Sequence, residues 1–455
     1  MLNQNIIDKY NIPVPRYTSY PTANNFVDYS NESYYKAIEH SNQAAKDQLS
    51  FYIHIPFCHH LCHYCGCNSF PMSCPETVES YVKALHCEID LLNPHLKKTR
   101  RISQIHYGGG SPTSLPIHHI KELNEHLFSS FETIDKPEIA IECHPGYLTE
   151  KDWKELITCG FTRYSLGIQD FNTQVLKIVN RRPSLIPVNE ITSILHESGA
   201  RFNLDFIYGL PQQTISSFVE SITKAIQLNP DRLVTFSYAH VPWINKRQMI
   251  LEKAGLPSQQ DKMGMFVEAG AILEQSGYKR IGMDHFVRPD DDLYQALLNH
   301  QLHRNFQGYC PRRITAQVYA LGVSGISQLE TAYAQNTKDI PQYISNIKQG
   351  KLCITKGYDL NRSQQITREA IESLMCNYCI DWNDLASLLG ISAEEVQSST
   401  GYTINKMKEL ANDGLIEFDN DKLQVTADGV PFVRNIAASL DPMIMSSEQR
   451  FSKPI

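Results

Sequence analysis

Cys58, Cys62 and Cys65 stand at a Cys-x3-Cys-x2-Cys spacing inside the loop Phe57–Cys67, with Cys67 two residues further on. A loop so dense in thiols can wrap a metal centre with no ligand from elsewhere, so any fold of this chain must present it. Thiolates are soft ligands that select zinc, copper(I) or iron–sulfur clusters. Zinc is the first rival, because His59, His60 and His63 stand among the cysteines and a Cys3His set is ordinary zinc chemistry. Structural zinc sites usually pair two short knuckles across a spacer, and no second knuckle follows here. Plain buried thiols are the remaining reading. Leu49–Ile55, directly before the loop, alternates and is rich in β-formers, so it reads as a strand that Pro56 ends.

That strand opens a repeating pattern. Strand-like runs recur at Phe51–Ile55, Gln104–Tyr107, Glu138–Glu142, Arg163–Ile168, Phe202–Ile207 and Leu233–Tyr238. Helical stripes lie between them, such as Val78, Tyr81, Val82, Leu85 and Ile89, or Ile215, Phe218, Val219, Ile222 and Ile226. Strand alternating with helix predicts an α/β fold of parallel strands joined by right-handed crossovers. Six units are too few for the usual eight-stranded barrel. Reactive groups are expected at the C-terminal ends of the strands, the end at which the cysteine loop emerges. Those ends carry Gly108–Thr113, Glu142, Gln169-Asp170, Asp205 and Ala239-His240, with Arg181 close behind. Singly, each is an ordinary surface residue or turn. Together on one rim they predict a site.

The flanks read differently. Residues 1–45 have no strong period and contain Pro15–Ala23, which reads as an extended arm on the surface, with Arg16 and two tyrosines able to meet an anion. Residues 240–355 are weakly periodic. The run Arg288–Asp292 there reads as a solvated loop, while the Arg, His and Gln side chains of His303–Tyr309 suit either a core or a polyanionic substrate. Residues 356–455 read as a separate, mainly helical and winged-helix-like unit with a hairpin at Leu415–Phe418 and Leu423–Thr426. Cys376 and Cys379 sit in a helical pattern and read as structural thiols.

Charge and composition narrow the function classes. The 455-residue chain has a formal net charge of −7, and residues 361–440 hold six Lys/Arg against twelve Asp/Glu. A nucleic-acid role for the winged unit is therefore excluded. The cysteines outside the loop are scattered among 20% charged and 42% hydrophobic residues, which suits a reducing cytoplasm. No leader pattern starts the chain and no apolar run approaches the ~20 residues that span a bilayer, so no membrane partner is expected.

With these motifs assembled, the chain resembles radical S-adenosylmethionine enzymes, in which a strand feeds a Cys-x3-Cys-x-aromatic-Cys loop with Tyr64 at the aromatic position. Within them it is similar to the oxygen-independent coproporphyrinogen III oxidases. The likeness rests on Pro15–Ala23, Tyr52–Cys67, Gly108–Thr113, Gly167–Asn172, Asp205–Pro211, Gly282–Phe286 and His303–Tyr309, over roughly the full length. It implies a partial (β/α)6 barrel, residues 46–355 with their extension. It implies a [4Fe–4S] cluster held by Cys58, Cys62 and Cys65, with the fourth iron open to S-adenosylmethionine.

It further implies two S-adenosylmethionine molecules. Tyr52, Gly109, Glu142 and Ile326 match contacts to one. Tyr64, Gly110, Ser111, Gln169, Arg181, Asp205 and Ala239 match contacts to the other. Gln307 and Cys67 match residues near the reacting centre, Cys67 not as a ligand. The implied reaction turns two propionates of coproporphyrinogen III into vinyl groups through a 5′-deoxyadenosyl radical, in a cytoplasmic monomer fed by an unidentified electron donor. The alternatives are a relative that transfers methyl groups to heme and opens its ring, or a heme chaperone.

Three departures from the family pattern stand out. Cys143-His144-Pro145-Gly146 replaces the usual Val-Asp-Pro-Arg, Gln317–Ala320 replaces an Asp-x-x-Gly element, and Ser111 replaces a threonine.

Overall fold

The computed structural model describes residues 4–43, 47–311, 317–444 and 451–454. The expected boundary at 45/46 lies outside them. All six expected strands form, the first five a little longer than their apolar runs and the last shifted by one residue: β1 (Gln48–Ile55), β2 (Arg101–Gly109), β3 (Thr133–Cys143), β4 (Arg163–Gln169), β5 (Arg201–Tyr208) and β6 (Arg232–Ser237). They lie side by side in chain order and pair in parallel. Helices α1 (Pro75–Leu92), α2 (Ile117–Ser130), α3 (Glu150–Ile157), α4 (Val188–Glu197) and α5 (Ile215–Gln227) fall in the connections.

The strands bury one set of alternate residues against these helices. Leu204 and Phe206 of β5 are fully buried, while Asn203 and Asp205 between them are half-exposed. Tyr52 and Glu142 alternate in the same way with Ile53 and Ile141. The period of two thus separates a helix-facing apolar core from a polar face that lines the barrel interior.

The sheet does not stop at six strands. It holds 13, in which β7 (Lys279–Ile281) and β8 (His285–Val287) extend the β6 edge. On the other edge β9 (Val318–Leu321) pairs parallel with β1, followed by antiparallel β10 (Ile326–Gln328), β11 (Ala332–Asn336) and β12 (Ile354–Asp359). Four of these strands have three or four residues, too short to show a period above the background of residues 240–355.

Two further expectations are corrected. The N-terminal arm is not an extended surface strand: Gln4–Tyr10 and Asn31–Gln43 are helices, and Tyr17 and Tyr20 are buried. Ile7, Tyr10, Tyr17 and Tyr20 share one apolar core with α6 (Arg362–Asn377) and the C-terminal helices. Asp291 is not in a solvated loop but 0% exposed, with Arg232 Nε donating to its Oδ2 at 2.8 Å.

In the C-terminal unit the hairpin forms at Ile416–Phe418 and Lys422–Val425 and takes Cys379–Asp381 as a third antiparallel strand. Cys376 and Cys379 part company there, because α6 ends at Asn377 and Tyr378 turns left-handed at φ 58°.

Candidate functional site

At the C-terminal rim of the parallel strands two cavities meet. The larger, about 670 Å³, is lined by Tyr52, His54, Glu142, Arg247, Asn305, Ile326 and Lys338 among others. The smaller, about 320 Å³, runs down the barrel interior past Tyr64, Gly110, Ser111, Gln169, Arg181 and Asp205. Cys65, Cys67, Gly109, Glu142 and Gln307 line both. Of the two groups that the family pattern separates, Tyr52 and Ile326 line only the larger cavity, Tyr64, Gly110, Ser111, Gln169, Arg181 and Asp205 only the smaller, and Gly109 and Glu142 both. Ala239 lines neither, although its carbonyl accepts from Gln248, whose amide also reaches the carbonyl of Tyr64.

The cysteine loop is held from several sides. The glycine run after β2 is pinned to it, Gly110 N donating to Ile55 O at 2.8 Å and Ser111 N to Phe57 O at 3.0 Å. Gly109 has φ +116°, and a Cβ there would fall 2.7 Å from the His54 ring, so glycine is required. Arg181 donates to Tyr64 Oη at 3.1 Å and to Cys62 Sγ at 3.7 Å. From the far side Asn245 Nδ2 donates to Cys65 O at 2.6 Å and Gln248 Nε2 to Tyr64 O at 3.1 Å.

Cys58, Cys62 and Cys65 all line the smaller cavity and all are free thiols. Among the described residues no three His, Cys, Asp or Glu side chains gather tightly enough to hold one ion. The histidines of the loop are engaged elsewhere: His63 Nδ1 lies 3.1 Å from Ile178 O, His60 Nδ1 2.6 Å from Tyr147 Oη, and His59 packs on Tyr147. Three thiols on one cavity wall fit a cluster that takes one thiolate per iron. A hydrogen bond from the Cys67 side chain pulls the Cys65 thiol down to about 6, whereas burial pushes Cys58 up to about 12.

The rest of the rim is rich in polar groups that the protein leaves unpartnered. Both amide atoms of Gln307, Nδ2 of Asn305 and Asn68, Nη1 of Arg247 and Oε1 of Gln169 are buried without a partner. Buried polar atoms are normally satisfied, so a wall of them marks where ligand atoms belong. Gln169 and Ser324 hold left-handed backbones at φ 68° and 58°, strain that gathers at functional sites. Burial pushes Asp205 up to about 6, and Ser165 Oγ donates to it at 2.5 Å. Burial keeps His54 neutral, wedged between Tyr52 Oη at 3.1 Å and Asn68 O at 2.9 Å.

Sequence reasoning missed His54, Asn245, Arg247, Gln248 and Lys338. His54 was legible as an inward-facing position two residues after Tyr52; the others carry no local signal.

Two departures now have a physical account. The His144 ring folds back so that Gly146 N donates to its Nδ1 at 3.1 Å. A Cβ on Gly146 would fall 2.9 Å from that ring and equally from the Pro183 carbonyl oxygen, so the turn has no room for a side chain. Gln317 lines neither cavity and bridges Arg100 at 2.7 Å and Glu330 at 3.2 Å.

Comparison with known proteins adds the following. Residues 52–225 match the model of the radical SAM superfamily. The chain is 38% identical to the oxygen-independent coproporphyrinogen III oxidase of Escherichia coli K12, covering 99% of this chain and 98% of that one. It is 33% identical to the enzyme of that name from Helicobacter pylori J99, covering 98% of both. The solved structure of the Escherichia coli coproporphyrinogen III oxidase, described as a radical SAM enzyme, superposes with a TM-score of 0.87 at 36% identity, over 97% of this chain and 99% of that one.

Proposed function

This chain belongs to the oxygen-independent coproporphyrinogen III oxidases of the radical S-adenosylmethionine superfamily, and from that premise we propose how its residues divide the work. Its reaction is the oxidative decarboxylation of two propionate side chains of coproporphyrinogen III to vinyl groups, giving protoporphyrinogen IX in heme biosynthesis. The observation that carries this assignment is the full-length likeness, arm and C-terminal unit included, since the barrel alone serves many radical chemistries.

When bound, the [4Fe–4S] cluster and S-adenosylmethionine supply a 5′-deoxyadenosyl radical, an oxidant strong enough for an unactivated C–H bond. Cys58, Cys62 and Cys65 hold the cluster, and Cys67 stays free, because a fourth thiolate would close the iron that binds S-adenosylmethionine. Tyr52, Gly109, Glu142 and Ile326 surround one S-adenosylmethionine in the larger cavity. Tyr64, Gly110, Ser111, Gln169, Arg181 and Asp205 receive the second in the smaller one, with Ala239 acting through the loop that Gln248 ties down. Gln307 and Cys67, which line both cavities, touch the reacting region, Gln307 with two hydrogen-bonding atoms free for ligand.

The chain divides into the arm (1–45), the barrel and its extension (46–355) and a winged-helix-like C-terminal unit (356–455). It works as a cytoplasmic monomer fed by a separate electron donor, without nucleic acid or membrane. Supporting this are the free thiols, the net charge of −7 and, among the described residues, no helix long and apolar enough to cross a membrane.

The test is anaerobic turnover of coproporphyrinogen III by the reconstituted protein with S-adenosylmethionine and a reductant. A tricarboxylic intermediate and then protoporphyrinogen IX are expected, with 5′-deoxyadenosine formed at each decarboxylation. S-adenosylhomocysteine and a methylated tetrapyrrole, with coproporphyrinogen III untouched, would replace this reading by methyl transfer. Stoichiometric heme transfer without turnover would replace it by a chaperone.

A further inference from the structure

The substrate carries four carboxylates, and carboxylates in a partly enclosed site need cationic or donor partners. Among the described residues two cations line the larger cavity. Arg247 stands in the helical turn Lys246–Gln248 that follows β6, and Lys338 in the turn between β11 and the helix Ile340–Lys348. In the sheet, β6 and β11 lie on either side of the block β10-β9-β1-β2-β3-β4-β5. The two cations therefore follow strands that lie eight positions apart in the sheet, and both line one cavity. That arrangement suits a broad ligand with acids spaced around its rim, seated over the S-adenosylmethionine that the same cavity receives.

Each cation is available. Arg247 donates through Nε to Asn245 Oδ1 at 3.2 Å, while its Nη1 is buried with no partner. Lys338 is exposed and forms no ion pair among the described residues. Among the described residues Glu142 is the one acid that lines this cavity, and burial lowers the pKa of His54 beside it. Arg247 is also fixed relative to the cysteine loop, because its partner Asn245 donates to Cys65 O at 2.6 Å. A carboxylate on Arg247 thus lies a short, rigid path from the thiols.

We propose that Arg247 and Lys338 are the carboxylate anchors for the porphyrinogen, each gripping a propionate so that another is presented to the reacting centre. This rests on the substrate assignment above. The grip on Arg247 is a charge-assisted hydrogen bond from a planar donor, which lysine reproduces only in part.

The experiment is an anaerobic fluorescence titration of coproporphyrin III, the stable oxidised macrocycle with the same four carboxylates, into the reconstituted protein without reductant. Wild type is expected to bind it, and its tetramethyl ester more weakly. Arg247→Gln and Lys338→Gln should each weaken binding of the free acid about tenfold, the loss of one charge-assisted contact, and leave the ester unaffected. Arg247→Lys should recover part of the loss, which separates a lost charge from a misfolded turn. Variants that bind the free acid as wild type does would overturn the anchors while the substrate assignment stands. A wild-type protein that takes up no coproporphyrin would overturn both.

Discussion

Replacing Asp291 by asparagine removes one charge from a largely buried cluster and little else. Asp291 Oδ2 accepts from Arg232 Nε at 2.8 Å and lies 3.6 Å from Arg163 Nη2. Its Oδ1 caps the helix Asp292–Leu298 through Leu293 N at 2.9 Å. Both arginines are 5% exposed, and Glu138 is the other carboxylate they share, accepting from Arg163 Nε at 3.0 Å. Without the Asp291 charge, the buried Arg163 and Arg232 face only the half-buried Glu138, with the half-exposed Arg201, itself 3.7 Å from Asp291, beside them. Removing one partner of a buried pair costs about 3–5 kcal/mol, because the other charge is left uncompensated. Asparagine still caps, so Asp291→Ala should cost a further ~1 kcal/mol.

Removing the surplus arginine as well tests the cause. Asp291→Asn with Arg232→Met leaves one buried arginine on one carboxylate and should recover most of the loss, since an apolar replacement of a whole buried pair is often neutral. Urea unfolding, followed by circular dichroism and tryptophan fluorescence, measures each step through the midpoint at constant slope. The pH dependence provides a second check. Burial works against the charged form of Asp291, but Arg232 and Arg163 outweigh it and hold the carboxyl below its usual range. Its contribution is therefore complete above the unfolded value of about 4 and is lost as pH falls through the lower folded value, a loss that asparagine should abolish. An Asp291→Asn protein within about 1 kcal/mol of wild type, or a double variant no better than the single one, would refute this account.

Alanine at Cys58, Cys62 or Cys65 should abolish the roughly four irons taken up per chain on anaerobic reconstitution, whereas Cys67→Ser should keep the cluster absorption and its response to S-adenosylmethionine. Asp205, pushed up to about 6 by burial, favours the protonated fold, so stability should fall as pH rises from about 4 to about 6; Asp205→Asn should flatten that stretch of a urea-midpoint profile. Gly146→Arg should destabilise by about 1–3 kcal/mol through overpacking against the His144 ring, and adding His144→Asp should relieve part of it in the same assay.

The reading of the cavities depended on features of different reach. Each of the six strands was visible because its signal lies within its own four to six residues: alternation of apolar and polar side chains, then a turn. The cysteine loop was visible for the same reason, three thiols at a spacing that one loop can close. Even the inward polar set, Tyr52, Glu142 and Asp205 among them, follows from strand period and strand end alone. Strands β7 to β11 were not legible, since runs of three to five residues carry too few alternations to stand out.

The chain by itself therefore determined the parallel strands, the end at which their polar groups gather and the three closely spaced thiols proposed to hold a cluster. Only the tertiary structure decided which polar residues work together. Asp291 reads as part of an acidic loop until the fold sets it against Arg232, 59 positions earlier, and Arg163. Arg247 and Lys338 carry no signal along the chain, and only the fold brings the turns after β6 and β11 to one cavity. The arm's tyrosines become core because the C-terminal unit closes over them, Tyr17 Oη donating to Asp441 at 3.0 Å across 424 positions. Apolar periodicity is a property of neighbours along the chain, whereas a charge takes its energy and its role from what surrounds it in space, and that is supplied by contacts the chain makes only once it has folded.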